Sequence, residues 1–258
     1  MRDTLLLAVE AGGRVLMEKY ATGVTVTYKG AIDLVTEADL ATEQAIVTVL
    51  RSRHPDHDLL AEEGTYERRG VDQRWIVDPL DGTTNFAHGF PWFAVSIALE
   101  VRGTVVLGAV FNPHNGELFV GERGRGATLN GRPLQVSTTA ALEQALLATG
   151  FAYDHKRSPD NNYVQFESFQ RLAQAVRRAG VASLDLACVA AGRFDGFWEL
   201  KLKPWDVAAG VLLVEEAGGR VSDYAGAPMP LERGESVASN DRLHEAMLQV
   251  LKGSGWDG

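Results

Sequence analysis

Two aspartates stand three residues apart in the string Asp78-Pro79-Leu80-Asp81-Gly82-Thr83-Thr84. Asp78 follows the apolar run Trp75-Ile76-Val77, which reads as a short buried strand. Pro79 is expected to stop that strand and stiffen the backbone. Asp81 then opens a turn or helix. Two carboxylates so placed can face one point, and the Leu80 carbonyl between them can join. Hard oxygen ligands of this kind suit magnesium, which keeps some waters and shares a substrate phosphate. Gly82-Thr83-Thr84 reads as a helix start whose free N–H groups meet phosphate oxygens. Taken alone, the pair is explained at least as well by a capped turn, with Asp81 as the cap.

Other acids sit at comparable places. Glu62 and Glu63 follow the short apolar run Leu59-Leu60-Ala61. By themselves they are solvated loop residues; beside Asp78 and Asp81, Glu62 becomes a third ligand. In Lys203-Pro204-Trp205-Asp206, Pro204 suits a helix start and Asp206 its first turn. The helix dipole favours an acid there for structural reasons alone. The chain carries a net charge of -9. That balance argues against general nucleic-acid binding and repels an anionic substrate unless cations intervene.

These residues need elements to hold them. Apolar spacing predicts helices over 3–20 and 37–53, short strands at 25–28, 59–61 and 75–77, and an antiparallel meander over 92–102, 104–113 and 117–121. The second half alternates: a strand near 145–149, a helix near 160–174, an Ala-rich helix over 182–192, a strand at 194–199, a helix from Pro204 to Ala217 and a last helix near 240–252. Helices on two antiparallel-rich sheets imply a layered α+β sandwich. Two parts of one compact unit are expected, 1–138 with most of the acids and 139–258 with Glu199 and Asp206. No apolar stretch is long enough to span a membrane. The one cysteine, Cys188, lies on the Ala-rich helix and reads as core. The six histidines are scattered without an HxxxH pair and read as surface or packing residues.

Taken together, these motifs resemble the inositol monophosphatase family. The resemblance rests on Trp75-Ile76-Val77-Asp78-Pro79-Leu80-Asp81-Gly82-Thr83-Thr84-Asn85-Phe86 and on Pro204-Trp205-Asp206-Val207-Ala208-Ala209-Gly210 with Gly218-Gly219 after it. Asp33-Leu34-Val35-Thr36-Glu37-Ala38-Asp39, Glu62-Glu63-Gly64 and Gly124-Gly126-Ala127 with Asn130-Gly131 stand in the family's order. The resemblance implies an α/β/α/β/α sandwich, a cytoplasmic homodimer, and a Mg2+-dependent, lithium-sensitive phosphatase acting on myo-inositol monophosphate or a similar small polyol phosphate. Relatives on the same scaffold use histidinol phosphate, fructose 1,6-bisphosphate, NADP or 3′-phosphoadenosine phosphates, and a regulatory protein without turnover is a further alternative.

It also implies roles. Glu62, Asp78, the Leu80 carbonyl, Asp81 and Asp206 would hold two or three Mg2+ ions. Glu62, Asp78 and Leu80 would hold the first, and Asp78, Asp81 and Asp206 the second. Glu62 would reach the third through water. Asp39 and Thr83 would orient and help deprotonate the attacking water, although Thr36-x-x-Asp39 is also a capping box. Gly82 and Thr83 amides would hold phosphate. Asp81, Ala182, Glu199 and Asp206 would face the substrate alcohol. Phe151 to Arg157 reads as a specificity loop or as a charged surface loop. Lys29 matches a mobile-loop lysine with altered spacing, Asp33 is expected to be structural, and Lys203 is either a substrate contact or a surface lysine.

Overall fold

The computed structural model of the chain describes residues 1–22, 26–28, 34–64 and 66–253. Helices α1 (Arg2–Thr22) and α2 (Glu37–Arg53) form the first layer. Leu5, Ala8, Val9 and Leu16 line one stripe of α1, and Ile46 and Leu50 one stripe of α2, all buried. That spacing of three and four leaves each helix one apolar face to cover. A short antiparallel pair, β1 (Val26–Tyr28) and β2 (Leu34–Thr36), lies between them in sequence.

Both apolar stripes rest on an eight-stranded sheet. Its strands are β3 (Asp58–Ala61), β4 (Tyr66–Glu67), β5 (Gln73–Asp81), β6 (Ala94–Val101), β7 (Thr104–Asn112), β8 (Glu117–Glu122), β9 (Gly126–Leu129) and β10 (Arg132–Pro133). They lie in the order β10-β9-β8-β7-β6-β5-β3-β4. Only β3 and β5 run parallel; the other neighbours are antiparallel. Trp75 and Val77 pack against α1 and α2 while Ile76 faces the opposite side, the two-residue period of a strand buried on both faces. A short helix, α3 (Thr83–Ala87), follows β5.

The second sheet contains β11 (Leu146–Thr149), β12 (Ala175–Arg177), β13 (Gly196–Glu199), β14 (Arg220–Ser222) and β15 (Ser236–Ser239), in the order β12-β11-β13-β15-β14. Its β12-β11-β13 part is parallel and the rest antiparallel, so it is half parallel where the sequence predicts an antiparallel-rich sheet. Helix α4 (Tyr163–Leu172) and helix α7 (His244–Gly253) cover its outer face, where the Phe169 and Trp198 rings stand 4.0 Å apart. Helices α5 (Ala182–Ala190) and α6 (Pro204–Glu216) lie between the two sheets. Every residue of α5 is buried, as a helix with sheets on both sides requires. The result is the expected helix–sheet–helix–sheet–helix sandwich.

One expectation is corrected. Pro79 does not end its strand: β5 runs through it to Asp81. Pairing of β5 with β3 covers only Arg74 to Val77, and the register with β6 shifts between Asp78 and Asp81. A proline is tolerated at such an irregular stretch because no ladder needs its missing N–H. Asp78 and Asp81 therefore share one strand end, not a strand and a following turn. Among the described residues, no helix is long and apolar enough to cross a membrane.

Candidate active site

A cavity of about 400 Å³ opens where the strand end of β5 meets the N-termini of α5 and α6. Its acidic wall contains Glu62, Asp78, Asp81 and Asp206, and Leu80 lies among them. Three elements deliver these groups, and a fourth, α5, braces them. Glu62 follows β3, and its N–H donates to the Val77 carbonyl at 3.2 Å, which ties it beside β5. The Asp78 carboxylate accepts from the Leu80 N–H at 3.0 Å and is almost fully buried. Asp81 accepts from the Ser183 N–H at 2.7 Å, so the start of α5 is fastened to the end of β5. Asp206 sits in the first turn of α6 and accepts from the Lys203 N–H at 2.7 Å. That contact gives Asp206 a structural role at the start of α6, beside the helix-dipole role expected from the sequence; its place in the cavity is additional to it.

The electrostatics follow from crowding acids in a low-dielectric cleft. Burial, then the charges of Glu62, Asp81 and Asp206, hold the Asp78 carboxyl well above the ordinary carboxylate range. Asp206 is pushed up to about 8 by burial and by Asp81, with Lys203 opposing. Asp81 rises only to about 6, because hydrogen bonds from Ser183 and Ala182 offset the cost of burial. Among the described residues, no three Asp, Glu, His or Cys side chains already stand as a set that could hold a metal ion. The acids share the cavity, and without a counter-charge they repel one another within it.

Beside the acids lies the Asp39–Thr83 pair. The Thr83 hydroxyl is within 3.0 Å of the Asp39 carboxylate and 3.1 Å of the Leu80 carbonyl. Asp39 comes from the first turn of α2, so two helices from different layers meet here. Gly82 joins β5 to α3 at φ 96°, and a Cβ there would stand 2.7 Å from Val181 Cγ2. Both the left-handed backbone and the close packing require glycine. The first N–H groups of α3 have no intrahelical partner, as at any helix start.

The cavity is also lined by Glu199, Ala182, Phe151, Tyr153 and Arg178. Glu199 ends β13, and burial pushes its carboxyl up to about 8, with Arg178 opposing. Phe151 and Tyr153 line the cavity, while Lys201 holds the following loop through Asp154 at 2.8 Å and Ser158 at 2.7 Å. The 151–157 segment is thus partly cavity wall and partly tethered surface. Lys203 is exposed at the cavity's rim. Lys29 and Asp33 lie outside the described residues, as does the Thr36 side chain. Cys188 is buried, and burial pushes its thiol up to about 12, as suits a core residue.

Several contributors carry no sequence signal of their own. Asn85, inside the quoted motif, donates to the Trp92 and Ala179 carbonyls at 2.8 and 2.9 Å and so pins α3 to the segment before α5. Ser183 acts through its backbone, which no residue type announces. Asp185 is buried in α5 with neither carboxylate oxygen hydrogen-bonded, its carboxyl driven well up by burial and by Glu199 and Asp81.

Comparison with known proteins matches the description "Inositol monophosphatase family" to residues 1–255. The chain is 47% identical over 247 residues to the inositol-1-monophosphatase of Synechocystis sp., covering 95% of this chain and 86% of that one. It is 49% identical over 234 residues to the Nus factor SuhB of Pseudomonas aeruginosa, covering 89% and 86%. The solved inositol monophosphatase of Anabaena (Nostoc) superposes with a TM-score of 0.89 at 42% identity, over 97% of this chain and 94% of that one.

Proposed function

The chain belongs to the inositol monophosphatase family of phosphatases, and we propose that it hydrolyses a phosphate monoester of a small polyol, of the myo-inositol monophosphate class, at this cavity with bound Mg2+. The observation that carries the reading is the grouping of Glu62, Asp78, Asp81 and Asp206 around one cleft, where burial and neighbouring acids raise the Asp78 and Asp206 carboxyls. Such a wall disfavours a phosphate ester unless cations bridge the two. The donors are all carboxylate or carbonyl oxygens, which fits Mg2+ over softer metals. Glu62, Asp78 and the Leu80 carbonyl would hold one ion, and Asp78, Asp81 and Asp206 a second. Glu62 would serve a third through water. Bound there, Mg2+ supplies charge to the phosphate oxygens and acidifies a water.

The chain's own groups do the rest. Asp39 draws the Thr83 hydroxyl hydrogen toward itself, which leaves the Thr83 oxygen free to accept a hydrogen bond from a water in the cavity. That orients the water and gives its proton a path toward Asp39. The Gly82 and Thr83 N–H groups receive the phosphate oxygens. Glu199, the Ala182 backbone and Asp206 meet the alcohol's hydroxyls. Burial raises the Glu199 carboxyl to about 8, and its oxygens are placed to hydrogen-bond an alcohol's hydroxyls. The family resemblance also carries over lithium inhibition and a cytoplasmic homodimer, the latter measurable by light scattering. A relative bears the name Nus factor SuhB, which favours as a second reading a regulatory role independent of turnover; a transcriptional function that disappears with Asp81→Asn would count against it.

The test is phosphate release from a panel of monoesters, each with Mg2+, after chelation, and with lithium added. Release from inositol monophosphate that needs Mg2+ and falls with lithium is expected. Unchanged rates after thorough chelation would exclude the metal, and release from none of the esters would exclude the phosphatase.

A further inference from the structure

The Glu199 carboxyl is seated directly against Gly150. In the parallel pairing of β11 with β13, Thr149 stands opposite Trp198, so the next pair is Gly150 and Glu199. A Cβ built on Gly150 would overlap both carboxylate oxygens and Cδ of Glu199. Gly150 is not among the residues with a left-handed backbone, so the obstacle to a side chain there is the Glu199 carboxyl and not its own conformation. Both residues are buried and both line the cavity.

A buried polar hub stands behind this pair. Asn162 opens α4 at φ 67° and is 1% exposed. Its side chain turns inward and does not cap the helix. Nδ2 donates to Thr149 Oγ1 at 2.8 Å and to the Gly150 carbonyl at 2.7 Å. Oδ1 accepts from Trp198 Nε1 at 2.7 Å, and Thr149 Oγ1 donates to the Trp198 carbonyl at 2.5 Å. The residues flanking the Glu199 carboxyl on both strands are thus fastened to one side chain. A buried network satisfied at every member rigidifies what it holds.

We infer that Gly150 is a specificity-determining position, with Asn162 as its positioning residue: the space left by Gly150 is what allows the Glu199 carboxyl to face the substrate's alcohol. The inference rests on the phosphatase reading above and deepens it. The Glu199 contact with the hydroxyls depends on this seat, whereas cleavage of the phosphate depends on the acidic wall, whose Asp206 also meets the alcohol.

The experiment measures kcat/KM for myo-inositol 1-phosphate and for p-nitrophenyl phosphate, whose leaving group has no aliphatic hydroxyl, in Mg2+. The unaltered chain, Gly150→Ala, Glu199→Ala and the double variant are compared, with Tm as a check on folding. In Gly150→Ala the ratio of the two constants falls in favour of the nitrophenyl ester by about tenfold. In the Glu199→Ala background, where the carboxyl is gone, adding Gly150→Ala moves the ratio by less than about twofold. A ratio unchanged in Gly150→Ala, or an equal further fall in the double variant, overturns the inference while the phosphatase reading stands. An unaltered chain that hydrolyses neither ester overturns both.

Discussion

The two walls of the cavity are built on opposite principles. The acidic wall leaves its carboxylates short of compensation. Burial and the charges of Glu62, Asp81 and Asp206 raise the Asp78 carboxyl, and burial raises that of Asp81 despite its hydrogen bonds from α5. The shell behind Glu199 is saturated with hydrogen bonds, although burial raises the Glu199 carboxyl itself to about 8. Asn162, Thr149 and Trp198 satisfy one another, and Lys201 ties down the adjoining loop. The difference teaches where a ligand's free energy is needed. A wall of crowded acids is completed by cations, whereas a wall backed by a satisfied network is already shaped and selects by fit.

Breaking the acidic wall has the largest consequence. Asp81→Asn is expected to lower kcat by at least about 10³-fold, about 4 kcal/mol in the barrier, with phosphate release as the readout. A loss of similar size for every ester would place the effect in phosphate cleavage. Near-wild-type turnover in that variant would remove Asp81 from the chemistry.

A smaller effect sharpens the same comparison through pH. The carboxyls of Asp81 and Asp206 are raised to about 6 and about 8 in the folded chain, against an ordinary value near 4 when unfolded. Raised folded values mean that the folded state holds more protons. The stability this contributes is therefore present below about pH 4 and is lost as pH rises through 6 and 8. Mg2+ binds the deprotonated forms and opposes that loss. The rise in Tm on adding Mg2+ should be larger at pH 8 than at pH 5.5. An equal or opposite dependence would argue that the acids are not the ion's ligands.

The sequence made the acidic wall legible because each acid terminates a short apolar strand or opens a helix. Those are places where a side chain must leave the core, and although each acid alone has a bland explanation, their convergence and the family resemblance mark them. The sandwich was legible for the same reason: α1, α2 and the strands around Trp75 keep their periodicity. Pro79 misled because its effect depends on whether a neighbouring ladder needs an N–H, and the β3 ladder ends at Val77. Gly150 and Asn162 were invisible because their meaning lies in contact with Glu199, Thr149 and Trp198, residues joined only by the parallel pairing of β11 with β13. Asp185 reads as one polar residue in an Ala-rich helix until α5 is seen to be enclosed by both sheets.

The most direct test of this division is a single ratio. The kcat/KM for myo-inositol 1-phosphate divided by that for p-nitrophenyl phosphate is measured in the unaltered chain, in Asp81→Asn and in Glu199→Ala. The account predicts that Asp81→Asn depresses both constants and leaves the ratio within about twofold, while Glu199→Ala lowers the ratio by about tenfold or more, roughly 1.4 kcal/mol. A ratio that collapses in Asp81→Asn and holds in Glu199→Ala would contradict it.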